Sequence, residues 1–92
     1  MKYEIEKTTK FKKDYKLVKK QNKNLESLKN IIKMLADDIE LPENCYDHEL
    51  KGNYKGYREC HIEPDWLLVY KKTETILLLT LFRTGSHSDL FK

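Results

Sequence analysis

The stretch GYRECHIEPDWLLVY, residues 56–70, decides how this 92-residue chain folds. Its second half, Leu67–Tyr70, is an apolar run of strand-forming residues and predicts a buried strand. Its first half loads Arg58, Glu59, His61, Glu63 and Asp65 onto what also reads as strand and tight turn. Glu63-Pro64-Asp65 is short enough to join the two halves as a hairpin, which makes strands at about 55–62 and 66–72 antiparallel neighbours. A small protein has thus placed ionisable groups beside its most apolar residues, and that choice demands a reason.

Downstream, Lys72-Thr73-Glu74 predicts a second turn into a strand at about 75–82. Ile76–Phe82 is apolar on both sides of the pleat, as a central strand would be. Upstream, Lys2–Lys7 alternates Tyr3 and Ile5 with charged residues at the period of a strand. Thr8 or Thr9 then caps a helix running to Lys20, with Phe11, Tyr15 and Val18 as its inner stripe. Asn24 caps a second helix, in which Leu25, Leu28, Ile32, Leu35 and Ile39 recur at steps of three and four and which ends before Leu41-Pro42. Residues 42–53 are polar and irregular and read as a loop, and Ser86–Phe91 forms a short capped turn after Arg83-Thr84-Gly85. The expected fold class is α+β, in the order β-α-α-β-β-β with a short C-terminal turn. Two N-terminal helices pack on one face of an antiparallel sheet and leave the other open.

Residues 1–92 have room for one domain only. The composition is 39% hydrophobic and 36% charged, so the core must be thin, while three Gly and two Pro argue against a disordered linker. The N-terminus carries no apolar signal segment, and the longest apolar run, Ile76–Phe82, is far short of the roughly 18 residues of a membrane span. These features predict a cytoplasmic protein without membrane contact. Cys45 and Cys60 lack CxxC spacing and read as free structural thiols, a disulfide between them being the alternative that would suit a secreted protein.

The net charge of +3 conceals an asymmetry: residues 1–33 carry eleven Lys against four acids, and residues 34–92 carry seven basic against eleven acidic groups. A Lys-rich first third suits a polyanionic partner such as nucleic acid, although a solvated helix face has the same signature.

All three histidines, His48, His61 and His87, follow residue 47, each in a different predicted element. Asp65 and Arg83 stand at strand ends beside the same region. A metal site is one use of such a set, but HxH, HxxxH and HExxH spacings are missing, so no metal or other cofactor is expected. Ser86-His87 lacks the elbow of a serine nucleophile. The third use is cleavage of RNA, whose ribose 2′-OH is its own nucleophile. A base must take the 2′-OH proton, an acid must protonate the departing 5′-oxygen, and a cation must hold the phosphate. Histidine serves the first two, since its ordinary pKa of about 6.5 leaves both protonation states accessible near neutrality. Arginine serves the third through its planar fork, although scattered surface histidines with Arg83 in an ion pair have the same signature and, on the residues alone, are the leading reading. Trp66 and Phe91 lie beside the cluster, where aromatic faces can stack exposed bases; for Trp66 a place in the core is an equal expectation.

Asp47–Lys71, DHELKGNYKGYRECHIEPDWLLVYK, followed by Arg83–Phe91, RTGSHSDLF, resembles the YafQ branch of the RelE-type toxins. These are small ribonucleases of bacterial type II toxin–antitoxin pairs. The resemblance rests on DH-x-L-x-G, YR-x-x-H-x-x-PDW and R-x-G-x-H-x-x-LF in that order; the N-terminal half is similar only in helix pattern and basic character. It implies a RelE-like microbial RNase fold and cleavage of mRNA in the A site of the translating ribosome. It also implies a cognate DinJ- or RelB-like antitoxin of ribbon-helix-helix type, through which alone the toxin meets DNA. On this resemblance His48, His61, Asp65 and His87 form the catalytic set, Arg83 binds phosphate, and Trp66 and Phe91 support or stack. The rival expectation is a domain of the same fold that binds nucleic acid or antitoxin without cutting. Codon preference, antitoxin identity and the division of acid and base among the histidines are not written in the sequence. Whether Glu59 and Glu63 belong to the site or merely face solvent is not written in the sequence either, and both are left out of the candidate set.

Overall fold

In the computed structural model, residues 1–91 are described. The chain runs β1 (Glu4–Lys7), α1 (Thr9–Lys20), α2 (Leu25–Ala36), β2 (His48–Glu49), β3 (Arg58–Glu63), β4 (Trp66–Thr73), β5 (Leu78–Gly85) and α3 (His87–Leu90). The strands form one sheet in the order β1-β5-β4-β3-β2. The hairpins β3–β4 and β4–β5 are antiparallel as expected, whereas β1 lies parallel to β5, with Glu4 opposite Leu78 and Lys7 opposite Leu81. The helical excursion from β1 makes this possible, because a parallel partner requires a crossover.

Both helices begin where the sequence places them. The Thr8 hydroxyl accepts from the Phe11 amide at 3.0 Å, and the Asn24 side chain accepts from Glu26 and Ser27. Phe11, Val18, Leu28 and Leu35 point into one core with Leu68, Tyr70, Leu79 and Leu81 from the sheet. Cys45 and Cys60 are buried there as free thiols, and burial raises the Cys60 thiol far above its ordinary value.

Four local expectations need correction. α2 stops at Ala36, because Asp38 takes a left-handed backbone at φ 59° and hydrogen-bonds both Lys2 and Lys72; Ile39 is therefore exposed and not part of the stripe. β5 begins at Leu78, since Glu74–Leu77 is spent on the turn, with Leu77 at φ 49° and Ile76 68% exposed. The segment 42–53 is not featureless: it holds a 3-10 turn at Glu43–Cys45, the start of another at Gly52–Tyr54, and β2, which pairs with β3 through His48–Glu59 and Glu49–Arg58. Finally, the face away from the helices is partly covered. Leu67, Val69 and Leu90 form a second, smaller cluster there with Leu50, Tyr57 and Phe82.

Among the described residues, no helix is long and apolar enough to cross a membrane.

Candidate active site

Strand alternation explains the polar half of the opening hairpin. On β3, Cys60 points into the helix-side core, so Glu59 and His61 must point to the other face. The β2–β3 register sets His48 opposite Glu59 and therefore on that same face. The apolar half of the hairpin, Leu67–Tyr70, is buried and holds this wall in place.

His87 arrives from the far end of the sheet. Ser86 caps α3 by accepting from the Asp89 amide at 3.2 Å, and Gly85 precedes it at φ 155°. A side chain at Gly85 would press within 3.3 Å of Leu90, the residue that anchors α3 on the second cluster. Glycine there lets α3 sit down and aims His87 back toward β3. The imidazole of His87 lies 5.8 Å from that of His61, centre to centre. Between them stands Glu59, only 4% exposed, with one carboxylate oxygen 3.8 Å from His61 Nε2 and 3.7 Å from His87 Nε2. Asp65, in the β3–β4 turn, lies 3.5 Å from His87 Nδ1 and accepts from the His87 amide at 3.4 Å.

Backbone carbonyls settle which ring nitrogens carry hydrogen. A carbonyl only accepts, so His48 Nδ1 donates to Tyr46 O at 2.6 Å and His61 Nδ1 donates to Pro64 O at 3.2 Å. Each neutral ring is left with a bare Nε2, the form of a base. His87 differs, because both its nitrogens face carboxylates and both can carry hydrogen with an acceptor at hand.

Arg83 reaches the site from its edge. The β4–β5 pairing shifts between Val69 and Tyr70, which places Arg83 opposite Val69 on the site face. Asp14 of α1 grips it, accepting from Nε at 2.8 Å and from Nη2 at 3.0 Å, and also accepts from the Thr84 amide at 3.2 Å. The pairing with Asp14 raises the guanidinium's already high pKa, so Arg83 stays charged. His48, Glu59, Val69 and Arg83 form one row across four strands, which sets Arg83 roughly 14 Å from His48 at the backbone, three strand spacings away.

The two aromatic candidates part company. Phe91 is partly exposed, 6.3 Å from His87 and edge-on to Tyr54 at 5.4 Å. Trp66 is wholly buried on the helix side, its indole N–H donating to Thr84 Oγ1 at 2.9 Å, and Thr84 in turn donates to Leu67 O at 2.7 Å. Its ring meets no solvent, so the expectation that it binds substrate is corrected to one of support: it clamps β4 to β5 beneath the histidines.

The structure thus gathers His61, Asp65 and His87, and aligns His48 and Arg83 on the same face. It adds Glu59, which the sequence reading left outside. The i, i+2 spacing of Glu59 and His61 on one strand was the available signal. It also adds Asp14, 69 residues from Arg83 and without any local signal. Glu59, His61 and His87 present ligand atoms within 4.8 Å of one another, a cluster invisible to motif spacing because it spans two elements.

The family described as bacterial toxin of type II toxin–antitoxin system, YafQ, matches residues 3–92. The mRNA interferase toxin YafQ of Escherichia coli strain K12 is 43% identical over 89 residues, covering 96% of this chain and 95% of that protein. YafQ in the E. coli DinJ–YafQ complex superimposes with a TM-score of 0.90 at 42% identity, covering 98% of this chain and 99% of that one. A metal-bound toxin from Helicobacter pylori superimposes with a TM-score of 0.91 at 43% identity, covering 99% and 100%.

Proposed function

Because the chain belongs to the YafQ family of bacterial type II toxin–antitoxin toxins, we propose that it is an mRNA interferase whose residues 1–92 act as one toxin domain. It is an endoribonuclease that cleaves through the ribose 2′-OH by acid–base catalysis, without a metal. The observation that carries this reading is the convergence of His61 and His87 on Glu59 at 3.8 and 3.7 Å, from separate elements and on the face opposite α1 and α2.

His48 is the preferred base, because its Nδ1–H is committed to Tyr46 O and its Nε2 is bare; Asp65 is the alternative. His87 is the acid that protonates the departing 5′-oxygen, its two nitrogens each provided with a carboxylate acceptor. His61, in its charged form with hydrogen on Nε2 as well, and Arg83 hold the phosphate, and Phe91 supports His87 and stacks on the adjoining base. Each positioned acid or base contributes on the order of 10²–10⁴ in rate. The products of such a reaction are a 2′,3′-cyclic phosphate and a 5′-OH.

Cleavage takes place in the cytoplasm, in the A site of the translating ribosome, where the exposed lysines of α1 meet ribosomal RNA. A DinJ-like antitoxin of ribbon-helix-helix type is the partner that blocks the site. The deciding experiment induces the chain alone in a bacterium, beside His87→Ala. Growth arrest with discrete mRNA cuts from the wild type only supports the reading; soluble wild-type protein without arrest selects the non-cutting binding domain.

A second reading is favoured by the Glu59–His61–His87 cluster, whose donor types and spacing suit a transition-metal ion. An ion held by all three takes up both Nε2 atoms that proton transfer and phosphate binding need. Metal binding at this place is inhibitory.

A further inference from the structure

Among the described residues, Tyr46 is the aromatic side chain beside the histidines that the proposed chemistry leaves without a task. It is 67% exposed, yet its backbone is left-handed at φ 48°, a conformation unfavourable for a bulky residue. Packing of its ring into the core cannot be the compensation, since the ring is largely in solvent. Two hydrogen bonds hold the conformation: the Tyr46 amide donates to Glu43 O at 3.1 Å, and the Tyr46 carbonyl accepts from His48 Nδ1 at 2.6 Å. The ring itself stands edge-on to His61 at 5.7 Å. Beside it opens a concavity of about 470 Å³, lined by Asn44, Tyr46, His61, Ile62, Glu63 and Pro64, together with the buried Cys45. That volume falls within the range of ligand pockets.

We infer that Tyr46 and this concavity form a nucleobase subsite, and that the base it takes belongs to the nucleotide whose 2′-OH attacks. The assignment of side follows from which histidine each aromatic serves. Tyr46 touches His61 and orients His48, the preferred base, so the concavity opens on the nucleophile's side of the scissile phosphate. Phe91 touches His87, the acid, and so stands on the side of the departing 5′-oxygen. A base stacked on Tyr46 has the Asn44 amide and the loop backbone within the same concavity for its polar edge. The strained backbone then has a purpose: it presents a rigid ring and a histidine tether from one residue.

This inference rests on the ribonuclease reading, and its test separates the two. Cleavage of a short synthetic mRNA on programmed ribosomes is measured for the wild type, Tyr46→Phe and Tyr46→Asn. Asparagine tolerates the left-handed backbone, so the loop is kept while the ring is lost. Tyr46→Phe, which keeps the stacking face, holds KM well below that of Tyr46→Asn. Tyr46→Asn raises KM about ten- to hundredfold, the span of one lost base–aromatic stack, with kcat changed far less. An mRNA abasic at the nucleotide upstream of the cut raises the wild-type KM similarly and erases the difference between wild type and Tyr46→Asn; an abasic downstream nucleotide leaves that difference intact. An unchanged KM in Tyr46→Asn, or an equal penalty on intact and upstream-abasic mRNA, overturns the subsite while the ribonuclease stands. Should Tyr46→Asn fail to fold, the wild type on the two abasic mRNAs still decides, since equal KM values for intact and upstream-abasic mRNA overturn the subsite. No cleavage by the wild type overturns both readings.

Discussion

Asp14 on α1 binds Arg83 on β5 through two hydrogen bonds of 2.8 and 3.0 Å and at the same time accepts from the Thr84 amide. β1 pairs with β5 only as far as Leu81, so beyond that point the β5 edge has lost its strand partner. One carboxylate therefore closes a sheet edge and fixes the Arg83 guanidinium. Charge-assisted hydrogen bonds of this kind are worth about 1.5–3 kcal/mol, and the pair is mostly shielded from solvent. Asp14→Asn should lower stability by about 1–3 kcal/mol in denaturant unfolding and should lower kcat for mRNA cleavage about tenfold, with partial recovery in Asp14→Glu. Lost stability with unchanged kcat would reduce the bridge to an edge seal.

The burial of Trp66 gives a prediction of the opposite kind. Trp66→Phe removes the indole N–H from Thr84 and leaves a gap in a dry contact, at a cost of about 1–3 kcal/mol. KM for mRNA should not move. Equilibrium unfolding and cleavage kinetics on the same variant settle the matter: a raised KM at unchanged stability is what a stacking platform would give.

What was legible in the sequence follows the range of the interactions. The caps at Thr8 and Asn24 and the stripe from Leu25 to Leu35 are local and came through. Ile39 and Ile76 misled because periodicity and apolarity do not register a left-handed residue: Asp38 ends one pattern and Leu77 delays another. β2 is two residues long, too short for alternation to show, yet its register with Glu59 places His48. The histidines, Asp65, Arg83 and Phe91 were singled out through the motifs of the YafQ resemblance, and of these the fold brings His61, Asp65 and His87 together. Glu59 was left out because a carboxylate on a strand gives no local sign of whether it faces solvent or a site, whereas here its neighbours across the face are histidines that reward its burial. Asp14 is joined to its partner only by the tertiary fold.

The basic first third also has a measurable consequence. Lys12, Lys13, Lys19 and Lys20 are all exposed on α1. If they neutralise ribosomal phosphates, affinity for ribosomes should fall steeply with salt, and replacing all four with Gln should both weaken binding and flatten the salt slope. The comparison is sedimentation with ribosomes between low and physiological salt. An unchanged slope in the quadruple variant would sink the idea.

The Glu59 cluster sets the sharpest test of how the site works, because metal and proton compete there for the same nitrogens. Ligand atoms of Glu59, His61 and His87 lie within 4.8 Å of one another, and their donor types suit zinc, which bonds such ligands at roughly 2 Å. Added zinc should therefore suppress mRNA cleavage, and a chelator should restore it in full. Glu59→Gln removes the only anionic ligand of the three, so it should raise the zinc concentration needed for inhibition about ten- to hundredfold, even as it slows the metal-free reaction by disturbing both imidazoles. Magnesium, needed to keep ribosomes intact, is a hard cation that prefers oxygen ligands and should leave this cluster alone. The contrary result is equally definite. Cleavage abolished by a zinc-selective chelator and restored by zinc would mean that the ion takes part in the reaction, and the histidines would then be ligands first and acid–base groups second.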